Sequence, residues 1–293
     1  MRAGMHCCIV AEAARRERRI MRYQKKSAIA YMFRNFWQLV LIALPFSVLV
    51  GVFCNFSAEG KFIVDLIKGK LAMSDFVGTF VGAFTVGRFG KNWFLPIIML
   101  VVLAFTESVY VVKISRHMRV GELNVASTAQ VFGLFPTMLM YVAVTYLCAQ
   151  LLSFVPVGVV LLLRSVNNVV AAGVLSLVVT FVLSVVVSYV FTALICAFPF
   201  KYCDNNPFNV ALSCSARYVN KDTKFVLGFM FLYPVLRMIV AAVCGFIDNP
   251  VLSILLQTLF ILFFTVYVPC VSFVKYCDYV GRERRDIGQV MFG

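Results

Sequence analysis

Four polar side chains stand inside long apolar runs of this 293-residue chain: Glu107, Gln150, Arg237 and Gln257. A carboxylate in hydrocarbon is expensive, and one that is retained there is a functional-site candidate. Glu107 stands about five residues from the C-terminal end of its run, with Thr106 and Ser108 beside it. Two readings stay open for it. It is a carboxylate hydrogen-bonded near the interface, or it is a proton or cation site. Arg237 lies near the middle of another run, three residues after Pro234. It either pairs inside the bundle with carbonyls and polar side chains, or it holds an anion or a headgroup. A Glu107–Arg237 pair is not indicated, because their expected depths differ by roughly 9 Å. Interhelical hydrogen bonding is the expectation for both glutamines.

One further set is relevant to lipid chemistry. Glu107, Lys113, Arg116 and His117 are the only carboxylate and basic residues that could meet near one headgroup level. An intramembrane lipid-modifying enzyme would have to use them. Other chemistries lack their residues. There is no P-loop, GxSxG, HExxH, EF-hand loop or dinucleotide fingerprint. The two histidines, His6 and His117, are far apart and the ten cysteines form no CxxC pair. No metal or cofactor is therefore expected, and the cysteines read as reduced, small apolar residues.

These residues are carried by elements that must cross a bilayer. The chain is 62% hydrophobic with a mean hydropathy of +0.91; a soluble protein is about half apolar. The excess lies in uncharged runs of about twenty residues, enough to cross roughly 30 Å of hydrocarbon. Six spans are expected, at 36–56, 94–112, 130–155, 169–199, 225–247 and 251–273. The third and fourth are long, which implies tilt or extension past the bilayer.

Charge orients them. With the N-terminus inside, segments 1–35, 113–126, 201–224 and 275–293 hold 20 of the 27 Lys and Arg residues. The outer segments hold six, and Arg237 lies within a span. This positive-inside bias places both termini in the cytoplasm of a cell membrane. The net charge of +14 belongs to membrane borders and anionic lipid headgroups, not to nucleic acid, because no basic face is interleaved with aromatics.

Phe76–Gly87 is too short to be a standard span, and counting it as one erases the bias. It reads as a re-entrant or interfacial helix, in which Gly78 and Gly82 have a GxxxG spacing suited to close helix packing. The preceding Phe62–Ile67 stretch has helical apolar spacing and is expected on the outer surface. The basic residues 15–19 precede Met21 and form no secretory signal; translation is expected to begin at Met21.

The hairpins repeat. Leu123-Asn124-Val125-Ala126 precedes the third span and Phe208-Asn209-Val210-Ala211 the fifth, 85 residues later. Lys201-Tyr202-Cys203-Asp204 ends the fourth span and Lys275-Tyr276-Cys277-Asp278 the sixth, 74 residues later. The unit is an amphipathic elbow, a helix out and a helix back. In 207–219, Phe208, Leu212, Ala216 and Val219 form the apolar side; Asn206 is placed to cap and Pro207 to open the helix. Ser27–Phe36 reads as a first copy, with Ile29, Phe33 and Phe36 on its apolar side.

The run Asn206-Pro207-Phe208-Asn209-Val210-Ala211-Leu212-Ser213, then Lys221-Asp222-Thr223-Lys224-Phe225 and an apolar helix, carries a resemblance. It resembles the multi-pass membrane domain attached to some bacterial glycerophosphodiester phosphodiesterases, and related bacterial membrane proteins. In those, Asn-Pro-x-x-x-Ala-Leu-x-x-Ser leads into a span. The match covers about a quarter of the chain. It implies a bacterial plasma-membrane location, without the phosphodiesterase activity, whose domain is absent from this sequence.

The reading is an all-α polytopic bundle. It has a basic cytoplasmic N-terminal segment (1–35), a membrane domain of three elbow-plus-hairpin units (36–274) and a basic cytoplasmic tail (275–293). Its expected role is non-enzymatic: binding or moving a small or lipidic solute, or supporting a membrane protein partner. The alternatives are a structural or assembly subunit and an intramembrane lipid-modifying enzyme.

Overall fold

The computed structural model describes residues 27–53, 56–84, 94–121, 128–163, 168–221, 223–247, 249–281 and 284. Met21, the Leu123–Ala126 elbow and most of the 275–293 tail lie outside them. The described regular structure is entirely α-helical: α1 (Ser27–Arg34), α2 (Phe36–Phe53), α3 (Phe56–Ile67), α4 (Met73–Phe84), α5 (Phe94–Val120), α6 (Thr128–Leu163), α7 (Val169–Asp204), α8 (Phe208–Lys221), α9 (Thr223–Phe246) and α10 (Pro250–Val280). A helix satisfies its own backbone polar groups, which hydrocarbon cannot do. Hydroxyls inside the spans follow the same rule. Ser47, Ser108 and Ser176 each donate to the carbonyl four residues back, at 2.9, 2.6 and 2.6 Å.

The chain is a multi-pass membrane protein. Among the described residues, five helices are long and apolar enough to cross a bilayer: α2, α5, α6, α7 and α10. The expected count of six is not matched one for one. The 225–247 region is helical as α9, and its described apolar stretch is Phe231–Phe246. α6 and α7 run 36 residues each. At about 1.5 Å per residue they exceed a bilayer's hydrocarbon thickness, as their sequences suggest.

Helix ends are written in the sequence. Asn168 accepts hydrogen bonds from Val170 and Ala171 N–H, both at 3.1 Å, and starts α7. Asn249 caps α10 through Val251 N–H at 2.9 Å, with Pro250 in the first turn. Asn205 (φ 54°) closes α7 and Gly281 (φ 69°) closes α10, both left-handed. In α8 the first helical bond runs from Ala211 N–H to the Pro207 carbonyl, and the Asn209 side chain accepts from Val210 N–H.

The spanning helices alternate in direction between two ends. Tyr31, His117, Met118, Asp204, Tyr276 and Cys277 gather at one, the elbow end, where the largest apolar core lies. Here the two repeated tetrapeptides meet: Tyr276 Oη donates to Asp204 Oδ1 at 2.6 Å, and its ring lies 5.0 Å from Phe200. Both elbow helices bury one side against the bundle. In α1 the buried residues are Ala28, Tyr31 and Met32, while Ile29 and Phe33 are exposed. In α8 the fully buried stripe is Ala211, Ser215, Tyr218 and Val219. Small Ala211 and Ser215 let α8 close on α7, where the Ser215 hydroxyl donates to the Ala193 carbonyl.

The 56–67 region departs furthest from expectation. α3 is not a surface helix: Phe62, Val64, Leu66, Glu59 and Gly60 are buried. It runs parallel to α9. Glu59 meets Arg237, Gly60 meets Ala241 and Gly245, and Lys68 Nζ lies 5.6 Å from the Phe246 ring. α2 lies antiparallel on α10, with Gly51 against Thr258, and Ser57 stays beside Ser253 of that same helix. α2 and α3 thus form one broken path leading away from the elbow end. Gly69 (φ 65°) ends it, and α4 then packs Phe76, Phe80 and Phe84 around Phe62. The close packing that the Gly78–Gly82 spacing would allow is not seen among the described residues: nothing lies within 4 Å of a side-chain carbon placed at either. The tight crossing is at Gly60 and Gly245.

Candidate functional site

Glu107 stands on α5, only 8% exposed. It faces a small void where α5, α6, α7 and α10 converge, lined also by Met138, Tyr141, Ile195, Pro269 and Ser272. The void measures about 10 Å³, about the space of one water. Among the described residues, no hydrogen bond or ion pair reaches the carboxyl. The nearby hydroxyls are committed to carbonyls. Ser272 Oγ donates to Pro269 O at 2.8 Å, Tyr141 Oη to Phe191 O at 3.4 Å and Tyr110 Oη to Leu39 O at 2.5 Å. Pro269, inside α10, offers no N–H to the carbonyl one turn back.

Arg237 is elsewhere. Its guanidinium pairs with the Glu59 carboxylate and lies over the Phe56 ring, 5.5 Å from its centroid. Glu59 is 7% exposed and the Arg237 side chain 24%. This is an ion pair at the α3–α9 interface, with Phe260, Phe264 and Tyr233 packed beside it. A third polar group adjoins it. Gln257 Nε2 donates to Ser57 Oγ at 3.0 Å and Ser253 Oγ at 2.9 Å, and those hydroxyls are 2.8 Å apart. Gln257 therefore bonds between helices as expected. Gln150 is buried and hydrogen-bonded to Tyr146, one turn away on its own helix.

The headgroup-level set does not assemble. His117 Nδ1 meets Tyr31 Oη at 2.9 Å, on the side of α5 that faces α1. It lies ten residues, or about 15 Å, along the helix from Glu107. Neither Lys113 nor Arg116 lines the Glu107 void. Among the described residues no group of three His, Cys, Asp or Glu is placed to hold a metal, and the seven described cysteines form no disulfide.

Glu59 is the residue that sequence reading missed. It sits in Phe56-Ser57-Ala58-Glu59-Gly60-Lys61, a stretch that reads as a polar connector. The available signal was a demand and not a pattern: Arg237 inside an apolar run needs an acid, and Glu59 follows closely on an apolar run. No family model, no curated protein and no solved structure matches the chain.

Proposed function

We propose that the chain is a non-enzymatic component of the cell membrane that binds or moves a small solute, with Glu107 as its working group. One observation carries this reading: a buried carboxylate, without a hydrogen-bond partner among the described residues, faces a water-sized void between four helices. A group kept only for packing would be apolar, because an unmet polar atom costs about 1–3 kcal/mol. The elbow's resemblance to bacterial multi-pass membrane domains and the positive-inside charge bias support a plasma membrane with cytoplasmic termini and anionic headgroups at that face.

The test is ligand-dependent stability. A solute that binds only the folded state raises Tm. Purified protein is heated with a panel of monovalent and divalent cations, small organic acids and amines. A shift seen in the wild type and lost in Glu107→Gln supports the reading. No shift across the panel, or an unchanged shift in Glu107→Gln, ends it.

A second reading has its own support. The Arg237–Glu59 pair and the Ser57–Ser253–Gln257 cluster are closed, mutually satisfied groups, as a structural or assembly subunit would use. It calls for a stable membrane complex, seen as co-purification in mild detergent, that survives Glu107→Gln.

A further inference from the structure

We propose that the species exchanged at Glu107 is a proton, traded between its carboxyl and one water held in the void. This rests on the reading of Glu107 as the working group. The step balances simply. A hydronium gives one proton to a carboxylate oxygen and leaves as water, and the side chain loses its negative charge. The reverse step returns the proton to water. No other bond breaks.

Size is the first argument. About 10 Å³ admits one water and leaves no room for a hydrated metal ion. Ligand supply is the second. Hard cations such as Ca²⁺ take about 6–8 oxygens, and this wall is mostly hydrocarbon, with Leu103, Val142, Ile195 and Phe198 among its members. A proton needs only the carboxyl and one water. The third argument is complementarity. Ser272 and Tyr141 line the void and have given their protons to carbonyls, so their oxygens can act only as acceptors. Water and a carboxylic acid are donors that suit them.

Among the described residues, no cation lines the void. Tyr110 on α5, Tyr141 on α6 and Cys270 on α10 are the titratable groups that feel Glu107, with Cys196 of α7 beside Tyr141. The charge of Arg284 reaches Cys270 but not the lining of the void. Lys113, on the same helix, is also outside the lining. The Arg237 guanidinium is held by Glu59 and does not line the void.

The experiment is infrared difference spectroscopy on the full chain reconstituted in vesicles, in H₂O and D₂O, between acid and alkaline pH. A carboxylic C=O band that titrates, shifts in D₂O, vanishes in Glu107→Gln and persists at a displaced frequency in Glu107→Asp is expected. Glu59→Gln should leave it in place. A band unchanged by Glu107→Gln, or the absence of any titrating carboxyl, overturns the proposal. Circular dichroism of each variant separates loss of the proton site from loss of fold. The outcome is distinct from that of the solute panel. Solute shifts without a titrating band would sink the proton alone. A Glu107 band without solute shifts would keep the proton and sink the wider reading.

Discussion

Replacing Gly60 by alanine tests how the α3–α9 interface is held. A Cβ at Gly60 would stand 2.5 Å from Gly245 N and 2.8 Å from Gly245 Cα, and closer still to the Ala241 carbonyl. Ordinary contact needs roughly 3.5–4 Å. The obstacles are backbone atoms of a helix, so no side-chain rotation relieves them, and the helices must part by roughly 1.5 Å. Overpacking of this kind costs about 1–3 kcal/mol. Alanine returns up to about 1 kcal/mol through helix propensity. Parting also strains the neighbouring Glu59–Arg237 pair, which sets a net loss of about 2 kcal/mol. Gly78→Ala and Gly82→Ala are the controls, because open space surrounds both positions; each should be neutral or slightly stabilising. The assay is denaturant-driven unfolding of purified protein in detergent micelles, followed by circular dichroism. If Gly60→Ala proves as mild as Gly78→Ala, the close crossing is refuted.

Three other perturbations follow from the same geometry. Glu59→Ala and Arg237→Ala should each destabilise by about 3 kcal/mol, and the double variant by clearly less than the sum, measured by a double-mutant cycle; strict additivity would deny the pair. Glu107→Leu should raise Tm while abolishing the titrating carboxyl band, because it removes a buried group that has no hydrogen-bond partner among the described residues; a fall in Tm would mean that the carboxyl is structurally partnered. Tyr276→Phe removes the 2.6 Å bond to Asp204 between the repeated tetrapeptides. It should cost about 1–2 kcal/mol in thermal unfolding, and no loss would show that the repeats meet by packing alone.

Much of the fold is legible because the bilayer imposes a length. Runs such as 169–199 announce a spanning helix without any knowledge of neighbours, and Asn168 and Asn249 mark starts as capping chemistry dictates. That Glu107 and Arg237 lie within apolar runs is legible for the same reason. Their partners are not. Local pattern ties Glu59 to a connector; only the tertiary pairing of α3 with α9 makes it buried. Close packing shows the same divide. The GxxxG spacing at Gly78 and Gly82 is visible in sequence and unused, while Gly60 and Gly245 come from distant helices whose meeting no spacing records. Which side of α1 meets protein is not legible, because it carries apolar residues on two sides, and hydrophobicity alone does not say which meets protein and which meets lipid.

The Glu59–Arg237 pair joins residues 178 positions apart. At synthesis rates of about 5–20 residues per second, the carboxylate is made roughly 10–40 seconds before its guanidinium. Throughout that interval α3 lacks the backbone groove of α9 into which Gly60 fits. The broken path that α2 and α3 form is therefore a late event in the life of the nascent chain. A ribosome paused before residue 237 would hold a chain in which Glu59 has no guanidinium to meet and Gly60 no groove to enter.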